Sequence, residues 1–429
     1  LNALTALFSI CVTISCTLFV LRVSRNPINQ IVVTLFTVNF ILGHIILLSF
    51  QLITKASNPV LLGDPRLFDP SISLVSILFL NALQYFCVMS GYVLVQKFWK
   101  NKKTSIQALP QSINRALIAM VIIGWTGNIS ILLGEVNLFS AFHPFELLGT
   151  LWIVSGFRLK DMHIFYPILF GASHFIWAMF FFHSKAEVFV IFIAILIRCL
   201  HYNRKIIRIK ILVLISLTIS LFPLIQNQKK IFTATKAYDL ISQSGGDYPA
   251  VRSFIIGILE RFDGANSITD AYLAGPGSWF QVSDYGRILL SKFIPNVSFL
   301  VGEYFGENTR ESRSLGQLWN NELRSQTFGN VTRDVPVSYG PFAEGYAISG
   351  LTLAILLSIS FGILISKLCD LNYTKNLLSI TCGLYFVSNL VVLQNSTGSL
   401  FLMLPKALLC FTLLYILKIF FSFETRKSN

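Results

Sequence analysis

The chain has 429 residues, of which 54% are hydrophobic and only 13% charged, with a formal net charge of +14. A water-facing surface needs far more polar side chains than this supplies, which excludes a single soluble domain. The basic excess lies in short loops, where it signals membrane topology and carries no implication of nucleic acid.

A helix needs roughly 20 apolar residues to cross about 30 Å of hydrocarbon, because lipid offers no partners to backbone groups. In chain order, apolar stretches predict spans near 1–21, 29–53, 71–95, 116–133, 139–157, 162–182, 185–202 and 207–226. A mixed polar segment, 227–346, interrupts them, and spans near 347–366, 376–393 and 398–421 follow. None of these runs shows the period-two alternation of membrane β-strands. The predicted fold class is therefore an all-α polytopic integral membrane protein with about 11–12 transmembrane helices. It divides into an N-terminal bundle over 1–226, one large external loop over 227–346 that bears amphipathic helices, and C-terminal helices over 347–429.

The first stretch has no basic leader and ends at Arg22 without a small-residue cleavage pattern, so it reads as a retained helix rather than a signal peptide. Lys and Arg in short loops stay on the cytoplasmic side. Arg22 and Arg25, then Lys97 to Arg115, then Arg158 and Lys160, then Arg204 to Lys210, then Lys367 and Lys375, and finally Arg426 and Lys427 fall on one side of the predicted spans. The segment 227–346 holds 11 basic and 12 acidic residues, a net charge of −1, which leaves +15 on the rest of the chain. That split places the long loop outside. A cytoplasmic C-terminus after eleven spans puts the N-terminus outside too; the chain begins at Leu1 rather than Met, and a further span upstream or a miscount around Phe139–Phe182 would reverse the parity.

The seven cysteines lie in or beside spans, with none in the external loop, so neither a disulfide framework nor a zinc spacing is expected. There is no internal repeat, no phosphate-cradling glycine loop and no nucleotide fingerprint, which disfavours an ATP-driven pump.

Ionisable side chains are costly in lipid and usually point into the bundle or a wet cavity. On the predicted topology His44, His143, Glu146, His174, Lys185, Glu187 and Lys406 all fall in the external halves of their helices, which points to a polar cavity open to the outside. The plain alternatives stand beside that reading. His44 and His174 read first as interhelical hydrogen-bonding contacts, and Lys185 and Glu187 equally well as interfacial. Lys406, after Pro405 and about 12 Å deep by helical rise, is harder to dismiss, and Glu146 serves equally as its ion-pair partner.

Within the external loop, Phe254 to Phe262 and Ile288 to Ile294 carry apolar residues at helical spacing among charges, as amphipathic surface helices do. Turns are expected at Gly245-Gly246, Gly275-Pro276-Gly277 and Tyr339-Gly340-Pro341, and Ser267-Ile268-Thr269-Asp270 fits a capping box. Arginine forks bind phosphate bidentately, so the loop arginines as a set suit a lipid diphosphate, although each alone reads as a salt-bridged surface residue. Asp263, Asp270, Asp284, Glu303 and Glu344 are available as general base or as acceptors for sugar hydroxyls.

Three patches carry a resemblance: His183-Ser184-Lys185-Ala186-Glu187 opening the span two before the loop, Gly286 to Pro295 ending in Phe293-Ile294-Pro295, and Pro341-Phe342-Ala343-Glu344-Gly345-Tyr346 with Gly350 leading into the next span. In this layout the chain resembles the bacterial O-antigen and exopolysaccharide repeat-unit polymerases of the Wzy type. It departs from that pattern at Ser184-Lys185-Ala186, where the family commonly has Ser-Arg-Gly, and at Asn296, where an Arg often stands. The resemblance implies a metal-independent, cofactor-free integral-membrane glycosyltransferase at the outer face of a bacterial inner membrane, its large loop in the periplasm. Its substrate would be an undecaprenyl-diphosphate-linked oligosaccharide within membrane lipid, with a chain-length regulator protein as a candidate partner. Under that implication Glu344, Arg261 and Arg287 are the catalytic candidates. Arg252, Lys185, Lys406, Tyr346 and Asp263 are the candidates for binding diphosphate and sugar. An O-antigen ligase shares the layout, and a lipid-linked oligosaccharide flippase is the alternative from another class.

Overall fold

The computed structural model describes residues 2–24, 27–40, 74–98, 108–133, 142–160, 162–181, 185–202, 265–279, 281, 285–286, 288, 318–324, 340–389 and 397–427. Every regular element among them is helical. In chain order these are α1 (Asn2–Val23), α2 (Pro27–Phe40), α3 (Leu74–Phe98), α4 (Gln111–Leu132), α5 (His143–Ser155), α6 (Phe165–Ile176), α7 (Lys185–Tyr202), α8 (Ala265–Ala274), α9 (Pro341–Ser349), α10 (Leu351–Leu371), α11 (Leu377–Ser388) and α12 (Thr397–Lys427). Two π-helical turns, Trp177–Phe181 and Trp319–Arg324, complete the set. Each predicted span except 207–226, which lies outside the described residues, is represented by a helix.

Local signals set the boundaries. Pro144 opens α5 at its first turn, where a missing N–H costs nothing, and Gly156 closes it in the left-handed region at φ 62°. The Asn376 side chain caps α11 by accepting from the Leu378 amide at 2.9 Å. Gly350, at φ 85°, separates α9 from α10.

Four helical stretches are long and apolar enough to cross a bilayer: Val75–Phe98, Gln111–Leu132, Leu351–Leu371 and Met403–Phe423. Phe79, Phe86, Ile122, Leu356, Ile416 and Phe420 are exposed on such helices, an apolar surface that water would not tolerate and lipid would. The protein is an α-helical membrane protein.

The chain forms two compact units, the first comprising Leu1–Asn101, Leu259–Asp370 and Val392–Lys406, the second Lys102–Ile258, Leu371–Val391 and Ala407–Asn429. In the first unit α1 and α3 run parallel, as the bonds Thr17 to Tyr85 (2.6 Å) and Ser24 to Tyr92 (3.2 Å) show. α10 lies parallel to α3 as well, with Ile359 against Gly91 and Ser366 bonded to Gln96 at 2.8 Å. All three run toward basic residues, Arg22, Lys97 and Lys367. At that end the buried Asp370 carboxylate accepts from the amides of Asn29 (3.0 Å) and Gln96 (3.2 Å), which ties the start of α2 to the ends of α3 and α10. Backbones approach so closely at this crossing that a Cβ on Gly91 would strike the Ile359 carbonyl and one on Gly362 the Val88 carbonyl, the small-residue packing that membrane helices use.

In the second unit, α5 is buried on every side from Phe145 to Ser155. It lies among α4, α6, α7 and α11. Its 13 residues rise only about 20 Å, short for a span. Neighbouring members of the α4–α7 series alternate in direction. One end of this unit therefore gathers Arg115, Arg158, Lys160 and Arg198, with Asn114 bonded to the Lys160 carbonyl and Arg198 to that of Val154. The opposite end gathers Asn128, His143, Glu146, His174 and Glu187.

Candidate functional site

The described parts of the polar segment fold onto the first unit at the end away from its basic residues. α8 packs on α9 and on α3. Ile268 and Ala271 from α8, Phe342, Ala343 and Ala347 from α9, Leu80 from α3 and Trp319 share one apolar core with Tyr285 and Ile288. The expected turn at Gly275-Pro276-Gly277 is present, with both glycines at positive φ (86° and 75°). Gly350 faces it, and a Cβ there would sit 3.1 Å from that of Pro276.

The expected capping box is corrected. Helix α8 already includes Ser267, so Ser267 is not the residue before the first turn. Asp270 is instead buried, its Oδ2 accepting from Trp319 Nε1 at 3.4 Å. A tertiary partner unseen in sequence outweighs the local pattern. The indole of Trp319 meets that of Trp279 edge to face at 4.8 Å between centroids, and Tyr285 lies 5.8 Å from Trp279. Trp279 itself is only half-buried, its backbone fixed by donation to the Ala347 carbonyl at 3.1 Å.

Glu344 stands in the first turns of α9 and is fully buried. A helix N-terminus favours a carboxylate there through its unpaired amides and dipole. Gly340 caps this helix in an extended conformation, and a Cβ on it would come within 2.8 Å of Gln84 Nε2. Gln84, on α3, is buried, and its Oε1 has no hydrogen-bond partner among the described residues. Asn81, one turn earlier on the same face, is also buried and donates to the Ile77 carbonyl at 2.8 Å. The described part of the first unit thus holds two buried carboxylates, Asp270 and Glu344, an amide, and the half-buried Trp279. Carboxylates accept hydrogen bonds from hydroxyls, and an indole offers a flat apolar face. Among the described residues no group of three or more His, Cys, Asp or Glu side chains could hold a metal ion.

Compared with known proteins, the chain matches no family model, no curated protein and no solved structure.

Of the residues expected at the site, Glu344 and Tyr346 fall on α9, with Tyr346 packed against the shared core. Lys406 follows Pro405 within α12 and is exposed. Lys185 begins α7, in the second unit. Arg252, Arg261, Asp263 and Arg287 lie outside the described residues, as do Asp284, Glu303 and the helix expected over 254–262. Sequence reasoning missed Gln84, Asn81, Trp279 and Trp319. Asn81 and Gln84 were detectable as two amides three residues apart inside an otherwise apolar span, the spacing of one helix face.

Proposed function

We propose that this protein polymerises undecaprenyl-diphosphate-linked oligosaccharide repeat units at the outer face of a bacterial inner membrane. The glycan leaves one lipid diphosphate and is joined to a hydroxyl of the next unit. The C1–O bond to diphosphate breaks, a glycosidic bond forms, and the hydroxyl proton passes to a base.

The observation that carries this reading is the burial of Asp270 against Trp319 and of Glu344 on α9, whose Phe342, Ala343 and Ala347 share a core with Trp279, Trp319 and Tyr285. Carboxylates accept hydrogen bonds from sugar hydroxyls, and aromatic faces suit the apolar faces of sugar rings. The direction of the helices supports the orientation. The basic ends of α1, α3 and α10 are retained in the cytoplasm, so the opposite end, with α8 and α9, faces outward. In this reading Glu344 accepts the acceptor proton or holds the sugar. Arg261 and Arg287 stabilise the charge that develops on the diphosphate, with Arg252 and Lys406 in support.

Gene deletion tests it. Loss of a polymerase leaves surface glycan capped at one repeat unit. Loss of a ligase strands polymer on undecaprenyl diphosphate, and loss of a flippase leaves units facing the cytoplasm. A deletion strain with normal long-chain glycan of every type would overturn the reading.

A further inference from the structure

The second unit holds a line of polar and ionisable groups for which the polymerase chemistry has no use. Four helices contribute to it. Nδ1 of His174 (α6) lies 3.0 and 2.9 Å from the two carboxylate oxygens of Glu146 (α5). Thr150, one turn along α5, donates to the same carboxylate at 2.9 Å. Nε2 of His174 meets the backbone carbonyl of Glu187 (α7) at 3.2 Å. The Glu187 carboxylate in turn lies 3.4 Å from Nε2 of His143, whose Nδ1 is 2.6 Å from Oδ1 of Asn128 (α4).

Hydrogen-bond chemistry fixes where protons reside. A carbonyl oxygen can only accept, so Nε2 of His174 carries hydrogen. Its other nitrogen faces a carboxylate that already accepts from Thr150. A second proton therefore sits between His174 and Glu146. His143 is likewise held between two oxygen acceptors. The proton shared by His174 and Glu146 removes the cost of a bare carboxylate in a dry interior.

Burial then grades along the line. The side chain of His143 is 19% exposed and that of Glu187 9%, whereas His174 and Glu146 are both at 0%. Asn128 is also at 0%, and its Nδ2 has no hydrogen-bond partner among the described residues. Immediately after His174 helix α6 widens into the π-helical turn Trp177–Phe181, a distortion that recurs where a helix is shaped for function.

Among the described residues, other titratable groups around the cluster are few. On α4, Arg115 lies at the opposite end, some thirteen residues or about 20 Å from Asn128. α7 starts with Lys185, and α11 brings Tyr385 and Cys382. Cys410 of α12 directs its thiol to the Pro144 carbonyl at 3.6 Å.

We propose that this cluster is a proton-binding site, in which the His174–Glu146 pair stores a proton and the His143–Glu187 pair exchanges it with the aqueous phase. His143 stands one turn before Glu146 on the same helix, so the proton passes between the pairs along that face of α5, while the Glu187 carbonyl only holds the Nε2–H of His174 in place. On release the proton departs through His143 as hydronium, and the cluster gains one negative charge; uptake reverses the step. No redox partner is required.

The test is ¹⁵N NMR of the full chain in lipid nanodiscs, labelled at its six histidines. At a pH of about 8, where an ordinary histidine is neutral, an imidazolium signal is expected from His174, and it disappears in His174→Gln. Glu146→Gln returns His174 to the neutral form. In Glu187→Gln and in His143→Gln, His174 keeps its signal while exchange of its N–H with solvent deuterium slows. Membrane abundance and helical circular dichroism establish that each variant folds, and Thr150→Ser, which keeps the hydroxyl, serves as a control that leaves the signal in place. Neutral imidazole at His174 would overturn the proposal. So would exchange at His174 that is indifferent to both Glu187→Gln and His143→Gln, because the pairs would then be static struts.

Discussion

Single atoms decide much at Gly345, Glu344 and the loop arginines. A Cβ on Gly345 would lie 2.6 Å from the backbone of Ala354, so α9 can fold back along α10 only with glycine there. Gly286, by contrast, has nothing within 4 Å among the described residues. Gly345→Ala should therefore cost about 1–3 kcal/mol while Gly286→Ala changes stability little. Thermal unfolding of both in detergent checks this, and equal midpoints would contradict the close approach. For the proposed chemistry, Glu344→Gln should be as damaging as Glu344→Ala, since the charge is what accepts a proton. Removing one charge-stabilising donor costs about 10²–10³ in rate, so Arg261→Ala or Arg287→Ala should abolish long chains at unchanged membrane abundance. Lysine should rescue only partly, lacking the bidentate fork. Polymer of normal length from all these variants would remove the site from consideration.

Among elements, the seat of α8 is the informative one. It is only ten residues long, too short to hold as an isolated helix, and depends on α3, α9 and Trp319 for its stability. Trp319→Ala should open a large cavity at a fully buried position and cost about 3–5 kcal/mol. Trp319→Phe should fill most of that space but lose the donor to Asp270, a cost of about 1–3 kcal/mol for the group left behind. Limited proteolysis between α8 and α9 reads the order directly: cleavage should rise from wild type to Phe to Ala. Equal protection in all three would mean that the indole does not hold the segment. Helix α5 teaches a different point. Its apolar run reads as a span, yet it is short and enclosed by protein, because hydrophobicity reports exclusion from water and does not distinguish lipid from a packed interior.

At the scale of the whole molecule the test is sidedness. In a background lacking the seven native cysteines, a cysteine placed at Gly246 or Gly329 should react with an impermeant maleimide in intact spheroplasts, and one at Asn101 should not. The reverse pattern would remove the outward orientation on which the proposed function depends. What the sequence determined by itself was the membrane class and the helices, since lipid forces backbone groups to pair within a segment and long apolar runs have one common solution. The short helix that carries Glu344 was legible because Pro341 and Gly350, whose backbone constraints are local, bound it. Tertiary structure alone decided that Asp270 meets Trp319, that Gln84 lies under Gly340, and that His143, Glu146, His174 and Glu187 form one hydrogen-bonded line from three helices. Those partners are separated by 13 to 256 residues, and no local propensity records which helix faces will meet. Side-chain packing, and the need of each buried polar atom for a partner, made that choice.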